Sequence, residues 1–268
     1  GINISLLLKN IGIKSKALGF IAGFTGYYIK EELKKQGIES DFVETQGFTR
    51  INIKLTTDTE TEINSQSSRV NKKNIDDFFG TLDELSNEDC VFLSGNIVPG
   101  MEDEDFVNIA KKVREKGAKL VVDSNKEMVL DTLKYKPFAV KPNEFELGEM
   151  FGVKVDTVED IAKYARKLQE MGAINVLVSR GSKGAILFTG EGEVFCANVA
   201  RGKVVSTIAA GDSMLAMFVA KYDESKDYKL SLQYASAAGG ATSFCAGVGK
   251  RELIDELSVQ IKVNKCDL

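Results

Sequence analysis

Apolar positions follow two spacings along this chain, and the two alternate. The opening "INISLLLKNIG" reads as a helix with Leu6, Leu7 and Leu8 buried. "KALGFIAG" is a continuous apolar run ending in glycine, as in a buried strand. "TGYYIKEELKKQG" returns to helical spacing and stops at Gly37, a residue suited to the left-handed position just past a helix. "SDFVET" follows as a short strand.

The period then drops to two. In "TRINIKLTTDTETEINS", Ile51, Ile53, Leu55 and Ile63 alternate with polar residues, which predicts a hairpin with one wet face. Beyond it the alternation of strand and helix resumes. "CVFLSG", "AKLVVDS", "KPFAVKPN", "INVLVSRG", "GAILFTG" and "EVFCANVA" read as strands. "EDFVNIAKKVREKG" and "TVEDIAKYARKLQEMG" read as helices ending at Gly117 and Gly172, the second opened by a Thr157–Asp160 capping pattern. The last third is helical over 213–222, 230–245 and 252–259. Such alternation predicts an α/β fold with a parallel sheet covered on both faces. The hairpin, 44–68, is read as an insertion into a core made of 1–43 and 69–268. No repeat or interdomain linker interrupts the pattern.

Composition narrows the function. The 268 residues are 43% hydrophobic, enough for a sizeable core, and the net charge of −4 gives no nucleic-acid footprint. There is no apolar run near the length of a membrane span and no signal-peptide pattern, so the expected compartment is the cytoplasm. Cys90, Cys196, Cys245 and Cys266 are scattered without a C-x-x-C pair and read as reduced, buried thiols. Histidine is absent. That removes Ser-His-Asp and Cys-His catalysis and the usual catalytic zinc sites, leaving a carboxylate or a lysine as general base.

Four stretches carry candidate chemistry, each beside a plainer reading. In "STIAAGDSM", Asp212 stands just before an apolar helix and is either a helix-start acid or a base beside a phosphate held by the amides of "AAG". In "KPNEFEL", Asn143 and Glu146 make a capping box, or Glu146 helps hold a hydrated Mg²⁺. In "SRGSKGA" the two glycines form a turn, or let the backbone approach a nucleotide with Lys183 near its phosphates; no P-loop or dinucleotide fingerprint is present. In "YASAAGGATSF" small residues serve close helix packing, or leave room for a flat base.

The order of these features resembles that of the PfkB (ribokinase-like) carbohydrate kinases over essentially the whole chain. The family signature T-x-G-A-G-D stands here as Thr207-Ile208-Ala209-Ala210-Gly211-Asp212. The resemblance implies a three-layer α/β/α core with a mostly parallel sheet and a small β lid. "TRINIKL", "VKPN" and "GKVVSTIAAGDSM" are most similar to the branch acting on fructose 1-phosphate, with tagatose 6-phosphate kinases second. It implies ATP and Mg²⁺ as cofactors, a sugar phosphate as substrate and a homodimer through the lid.

Carried onto this sequence, the resemblance makes Asp212 the base and the amides of Ala209, Ala210, Gly211 and Asp212 an anion hole. Asn143 and Glu146 orient Mg²⁺ through water. Lys141, Asn143, Ser179, Lys183, Gly184, Ser206 and Ile208 match nucleotide-side positions, and Ala238 and Gly239 lie near the adenine. Gly1, Asn3, Arg50 on the lid and Asn96 match the sugar side, with Arg50 gripping the sugar's phosphate.

Four departures stand out. The sequence opens inside the family's G-G-x-G-x-N turn, ahead of which relatives carry a core strand, a substrate-binding aspartate and part of the lid; a chain lacking these is expected to show poor or no activity. Ala209 replaces a glycine, which costs on the order of 1 kcal/mol if the position needs a positive φ. "SGNIVPG" departs from S-G-S-x-P, and "NSQS" lacks a glycine-proline turn.

Overall fold

The structure, a computed structural model, describes residues 1–56 and 60–268, and only the chain path for 54–56, 60–62 and 64. Helix α1 (Ile2–Asn10) buries Ile4, Leu7 and Leu8; Leu6 is only half-buried, on the side facing the neighbouring strand pair. That pair, β1 (Lys16–Ala22) and β2 (Glu39–Thr45), is parallel, with Phe20 opposite Val43, and is joined by α2 (Gly23–Lys35). Gly37 adopts φ +68°, the predicted left-handed stop. The predicted hairpin is β3 (Asn52–Thr56) and β4 (Glu60–Asn64), antiparallel with Ile53 opposite Ile63. Ile51, Ile53 and Ile63 are all more than half exposed, so at these positions the apolar face is left uncovered, while the side chain of Leu55 lies outside the described residues.

Helix α3 (Lys72–Thr81) lies against the β1–β2 pair, its Phe78 ring 5.1 Å from that of Phe20. Then come β5 (Cys90–Ser94), α4 (Asp103–Glu115), β6 (Lys119–Asp123), α5 (Lys126–Thr132), β7 (Ala139–Val140), α6 (Glu144–Phe151), α7 (Val158–Met171) and β8 (Asn175–Ser179). β9 (Ala185–Phe188), β10 (Val194–Ala197), α8 (Ala210–Ser225), α9 (Tyr228–Ser243), α10 (Arg251–Ser258) and β11 (Val263–Lys265) complete the order.

The main sheet runs β11-β10-β9-β8-β7-β6-β5. β5 to β8 pair in parallel, whereas β9, β10 and β11 pair antiparallel, so five of the seven strands point one way. The strands β6 to β10 are buried on both faces, and the period of two assigns residues to layers. Val121, Leu177 and Leu187 pack beneath α1, α8, α9 and α10. Val122, Val176, Val178 and Ile186 pack under α3 to α7. This is the expected three-layer α/β/α core, sheet in the middle.

Three features correct or extend the sequence reading. β9 and β11 run against the others: a short turn through Gly181 to Gly184 allows only a hairpin return, where a helix would have permitted a parallel crossover. The elements α3, α5 and β11 carried no clear periodic signal. β11 also brings Cys266 beside Cys196 of β10, where the two are joined, Cα–Cα 6.3 Å, so these are not the free thiols expected. The partners lie 70 residues apart and meet only through the edge strand. Cys90 and Cys245 are free, and burial pushes the Cys90 thiol up to about 12, which keeps it inert.

Candidate active site

Parallel strands present their carboxyl ends at one edge of the sheet, and that edge is where chemistry collects in such folds. Here β5 ends at Ser94, β6 at Asp123 and β8 at Ser179, while Lys141 follows β7 directly. Helix α8 starts beside them. Ala209 ahead of it is left-handed, φ +64° and ψ +1°. The N–H of Ser213 makes the first helical bond, to the Ala209 carbonyl at 2.9 Å, and no side chain caps the turn. The Ala210 N–H is spent on the Thr207 carbonyl at 3.3 Å, so of the anion hole expected from Ala209 to Asp212 the Ala210 amide drops out, while those of Gly211 and Asp212 point out of the helix end with its positive dipole.

Asp212 lies in that first turn. Asn3, at the start of α1, donates to its Oδ2 at 2.7 Å. Lys141 is 8% exposed, with its Nζ 3.5 Å from Asp123 Oδ1. The same Nζ lies against Gly211, where an added Cβ would stand 3.0 Å from it. A side chain at 211 would thus press on the ammonium and shift it by a few tenths of an ångström. Burial pushes the Asp123 carboxyl up, the carboxylates of Asp212 and Glu146 push it further, and Lys141 opposes them. The carboxylates of Glu146 from α6 and Asp212 from α8 thus lie within electrostatic reach of Asp123 on β6, which is itself paired with Lys141.

Glu146 reaches this cluster from α6. Its Oε2 accepts from the Asn143 N–H at 2.7 Å and its own N–H donates to Asn143 Oδ1 at 2.8 Å. The capping box is realised, and Glu146 nevertheless borders a cavity of about 480 Å³ together with Asn96, Asp123 and Ser124. Asp123 and Glu146 supply hard oxygen donors with room for water, a set that fits Mg²⁺. Asn143 already spends its side-chain oxygen on the cap. Among the described residues no group of three or more acids, cysteines or histidines is placed to hold a metal ion.

A second cavity, about 870 Å³, is bordered by Asn143, Ser179, Gly181 and Lys183. Arg180 and Lys183 both pair with Glu144 on its wall, at 2.9 and 3.3 Å. Gly184 has φ +91°, and a Cβ there would stand 2.0 Å from the Ala197 carbonyl. Its glycine is therefore demanded by the β9–β10 edge, whatever binds nearby.

Amides held open beside an acceptor carboxylate suit transfer of a phosphoryl group to a hydroxyl, and the three-layer core behind them is the ribokinase-like one. This fold and site suit a phosphotransferase. The chain belongs to the pfkB family of carbohydrate kinases, whose pattern residues 1–253 match. It is similar to the 1-phosphofructokinase of Bacillus subtilis, 40% identical over 99% of this chain and 87% of the relative. It is also similar to the D-tagatose-1-phosphate kinase of Bacillus licheniformis, 36% identical over 98% of this chain and 86% of that one. Phosphofructokinase-2 from Escherichia coli shares the fold, with a TM-score of 0.91 at 22% identity over 97% of this chain and 86% of that one.

Of the residues singled out in the sequence, Asn3, Lys141, Gly211 and Asp212 are brought together, with Glu146 and Asn96 beside them. Gly1 stands next to Ser94, whose hydroxyl lies 3.4 Å from where a Cβ on Gly1 would be. Ser206 accepts from the Ile208 N–H at 3.2 Å, and Ile208 is 51% exposed on the loop entering α8. Arg50 is exposed just ahead of β3. Ala238 has no exposed surface, and Gly239 packs against Met214 and the Ala210 carbonyl. Both serve the α8–α9 contact, so the small residues of α9 take the packing role in this structure. Asp123 was missed. Its signal was an acid closing the otherwise apolar strand "KLVVD", at the edge where parallel strands bind ligands.

Proposed function

We propose that the protein phosphorylates fructose 1-phosphate at its free primary hydroxyl, using ATP and giving fructose 1,6-bisphosphate and ADP. The observation that carries this is Asp212 held in the first turn of α8 by Asn3, with open amides beside it. Asp212 takes the proton from the C6 hydroxyl as its oxygen forms a bond to the γ-phosphorus. The bond from that phosphorus to the β–γ bridging oxygen breaks and ADP leaves with the electron pair. The amides of Gly211 and Asp212, with Lys141 behind them, steady the negative charge on the group in transit. Mg²⁺ held through Asp123 and Glu146 would neutralise phosphate charge. Ser179, Lys183, Ser206 and Ile208 border the nucleotide, while Asn96 and Arg50 meet the sugar phosphate.

The exposed Phe24, Tyr27, Tyr28, Phe48, Ile51, Ile53 and Ile63 lie on α2 and the hairpin side. A second copy covering them, as a homodimer through the lid, accounts for so much bare apolar surface. No helix among the described residues is long and apolar enough to cross a membrane, and the reaction belongs in the cytoplasm, where its substrates are.

The B. licheniformis relative favours one second reading, D-tagatose 1-phosphate, which differs from fructose 1-phosphate only in configuration at C4. A coupled ADP assay with the 1-phosphates and 6-phosphates of fructose and tagatose decides. The highest kcat/KM is expected with fructose 1-phosphate. A preference for any of the other three overturns the substrate, and no ADP release with any of the four overturns the activity.

A further inference from the structure

Two adjacent residues near the end of α9 grip both flanks of the turn that carries Asp212. On one flank the Ser243 carbonyl accepts from the amides of Val205 at 2.8 Å and Ser206 at 3.2 Å, fixing the loop that enters α8. On the other, Thr242 donates from Oγ1 to Ser213 Oγ at 2.8 Å. Ser213 is the residue next to Asp212, and both hydroxyls are fully buried. The same Thr242 oxygen accepts from the Gly249 N–H at 3.0 Å.

The connection continues. Asn10, the last residue of α1, donates its side-chain amide to the carbonyls of Val248 and Gly249, at 3.3 and 3.0 Å. Asn3, at the first turn of the same helix, holds Asp212. A closed circuit therefore runs from the Asp212 carboxylate through Asn3, α1, Asn10, Gly249, Thr242 and Ser213 back to the Asp212 backbone. Thr242 is the one hydroxyl in it that both donates to the α8 turn and receives from the loop tied to α1.

We infer that Thr242 is a positioning residue for phosphoryl transfer, its hydroxyl setting where the first turn of α8 stands relative to α1. This rests on the kinase reading above. No packing requirement explains a hydroxyl there: valine has the same shape, so a site needing only volume in this buried, small-residue contact would lose nothing by dispensing with two hydrogen bonds. Valine would leave Ser213 Oγ and the Gly249 N–H unpartnered in the interior and free the turn to shift. Displacements of about 1 Å at a reacting group cost roughly a hundredfold in rate.

The test compares Thr242→Val with Thr242→Ser, and adds Ser213→Ala, which removes the acceptor from the α8 side. Steady-state kinetics of each variant are read with circular dichroism at the assay temperature and hydrogen exchange of the peptide 207–214. Thr242→Val is expected to lower kcat by about tenfold to a hundredfold, with both KM values within threefold. Thr242→Ser is expected to restore most of the rate. Exchange in 207–214 should quicken in the valine and Ser213→Ala variants and not in the serine one. The inference is overturned if Thr242→Val keeps its kcat within twofold, if serine rescues nothing, or if the lost rate equals the lost folded fraction. If the parent protein itself turns over no sugar phosphate, the kinase reading falls, and unchanged exchange in 207–214 separately overturns the clamp.

Discussion

Asn3 Nδ2 donates to Asp212 Oδ2 at 2.7 Å, across 209 residues of sequence, and joins the first turns of α1 and α8. The bond occupies one carboxylate oxygen and leaves Oδ1 to face a hydroxyl. It also fixes the carboxylate plane, since a side-chain amide is a directional donor. A base on an exposed helix end would otherwise sample several rotamers, only some within reach of a substrate proton.

Asp212→Asn keeps the shape and loses the proton acceptor. Turnover is expected to fall by about a thousandfold or more, with the ATP dissociation constant within threefold of the parent. Asn3→Ala keeps the acceptor and loses its orientation, so a smaller loss in kcat, about tenfold, is expected. Steady-state rates and a nucleotide titration check both. Near-normal turnover in Asp212→Asn would rule this residue out as the base.

Ala209 occupies the left-handed region at φ +64°, where an L-residue with a Cβ is disfavoured by about 1–2 kcal/mol. Glycine removes that penalty but gives the unfolded chain more freedom, worth about 0.4–1 kcal/mol in the other direction. Ala209→Gly is therefore expected to stabilise the protein by up to about 1.5 kcal/mol, read as a raised urea midpoint at unchanged slope. A lowered midpoint would mean that the alanine methyl makes a contact outweighing the strain.

Lys141 is buried and Asp123 mostly so, at 8% and 20% exposure, and the members of the pair have unequal reasons to be there. Removing the cation with Lys141→Met leaves the Asp123 carboxyl largely shielded from water beside Asp212 and Glu146. Its proton affinity, already raised by burial in the parent, rises further. A raised folded-state pKa means stability that is full below the ordinary aspartate range and lost as pH climbs through the folded value. Lys141→Met should thus be near the parent in stability at low pH and weaker by about 3 kcal/mol at neutral pH. Adding Asp123→Asn removes the stranded charge and should recover most of that stability, but no activity. Urea melts across pH, with the coupled assay alongside, separate these outcomes. A double variant no more stable than the single one would show that the pair's role lies elsewhere.

The layers of this fold were legible because burial on both sheet faces leaves continuous apolar strands such as "NVLVS", while surface helices keep a 3.6 period. Motif order pointed to Asp212 and Glu146, and the family resemblance to Lys141; the fold brings all three to one sheet edge. Asp123 escaped because its partners come from α6, α8 and the end of β7, and nothing local announces them. The reversal at β9 and the meeting of Cys196 with Cys266 were hidden for the same reason: strand order decides them. At Ala238 and Gly239 the small residues pack α9 in this structure, and close packing and room for a flat base call for the same residues.

Glu144 shows how charge at the second cavity can be tested apart from catalysis. Burial alone would raise its carboxyl, but the Arg180 and Lys183 cations beside it outweigh that and hold it below the ordinary value of 4.5. A depressed folded-state pKa contributes stability above the ordinary glutamate range and loses it as pH falls through the folded value. Glu144→Gln keeps the shape but removes the charge. The variant should be weaker by about 1 kcal/mol near neutral pH, and the gap should close as pH falls below 4.5. Lys183 is the more exposed partner, at 60% against 17% for Arg180, so added salt should erode its share first. A stability gap that stays constant from pH 7 to pH 3 would show that Glu144 acts through packing, and the Arg180 pairing would then carry no measurable electrostatic weight.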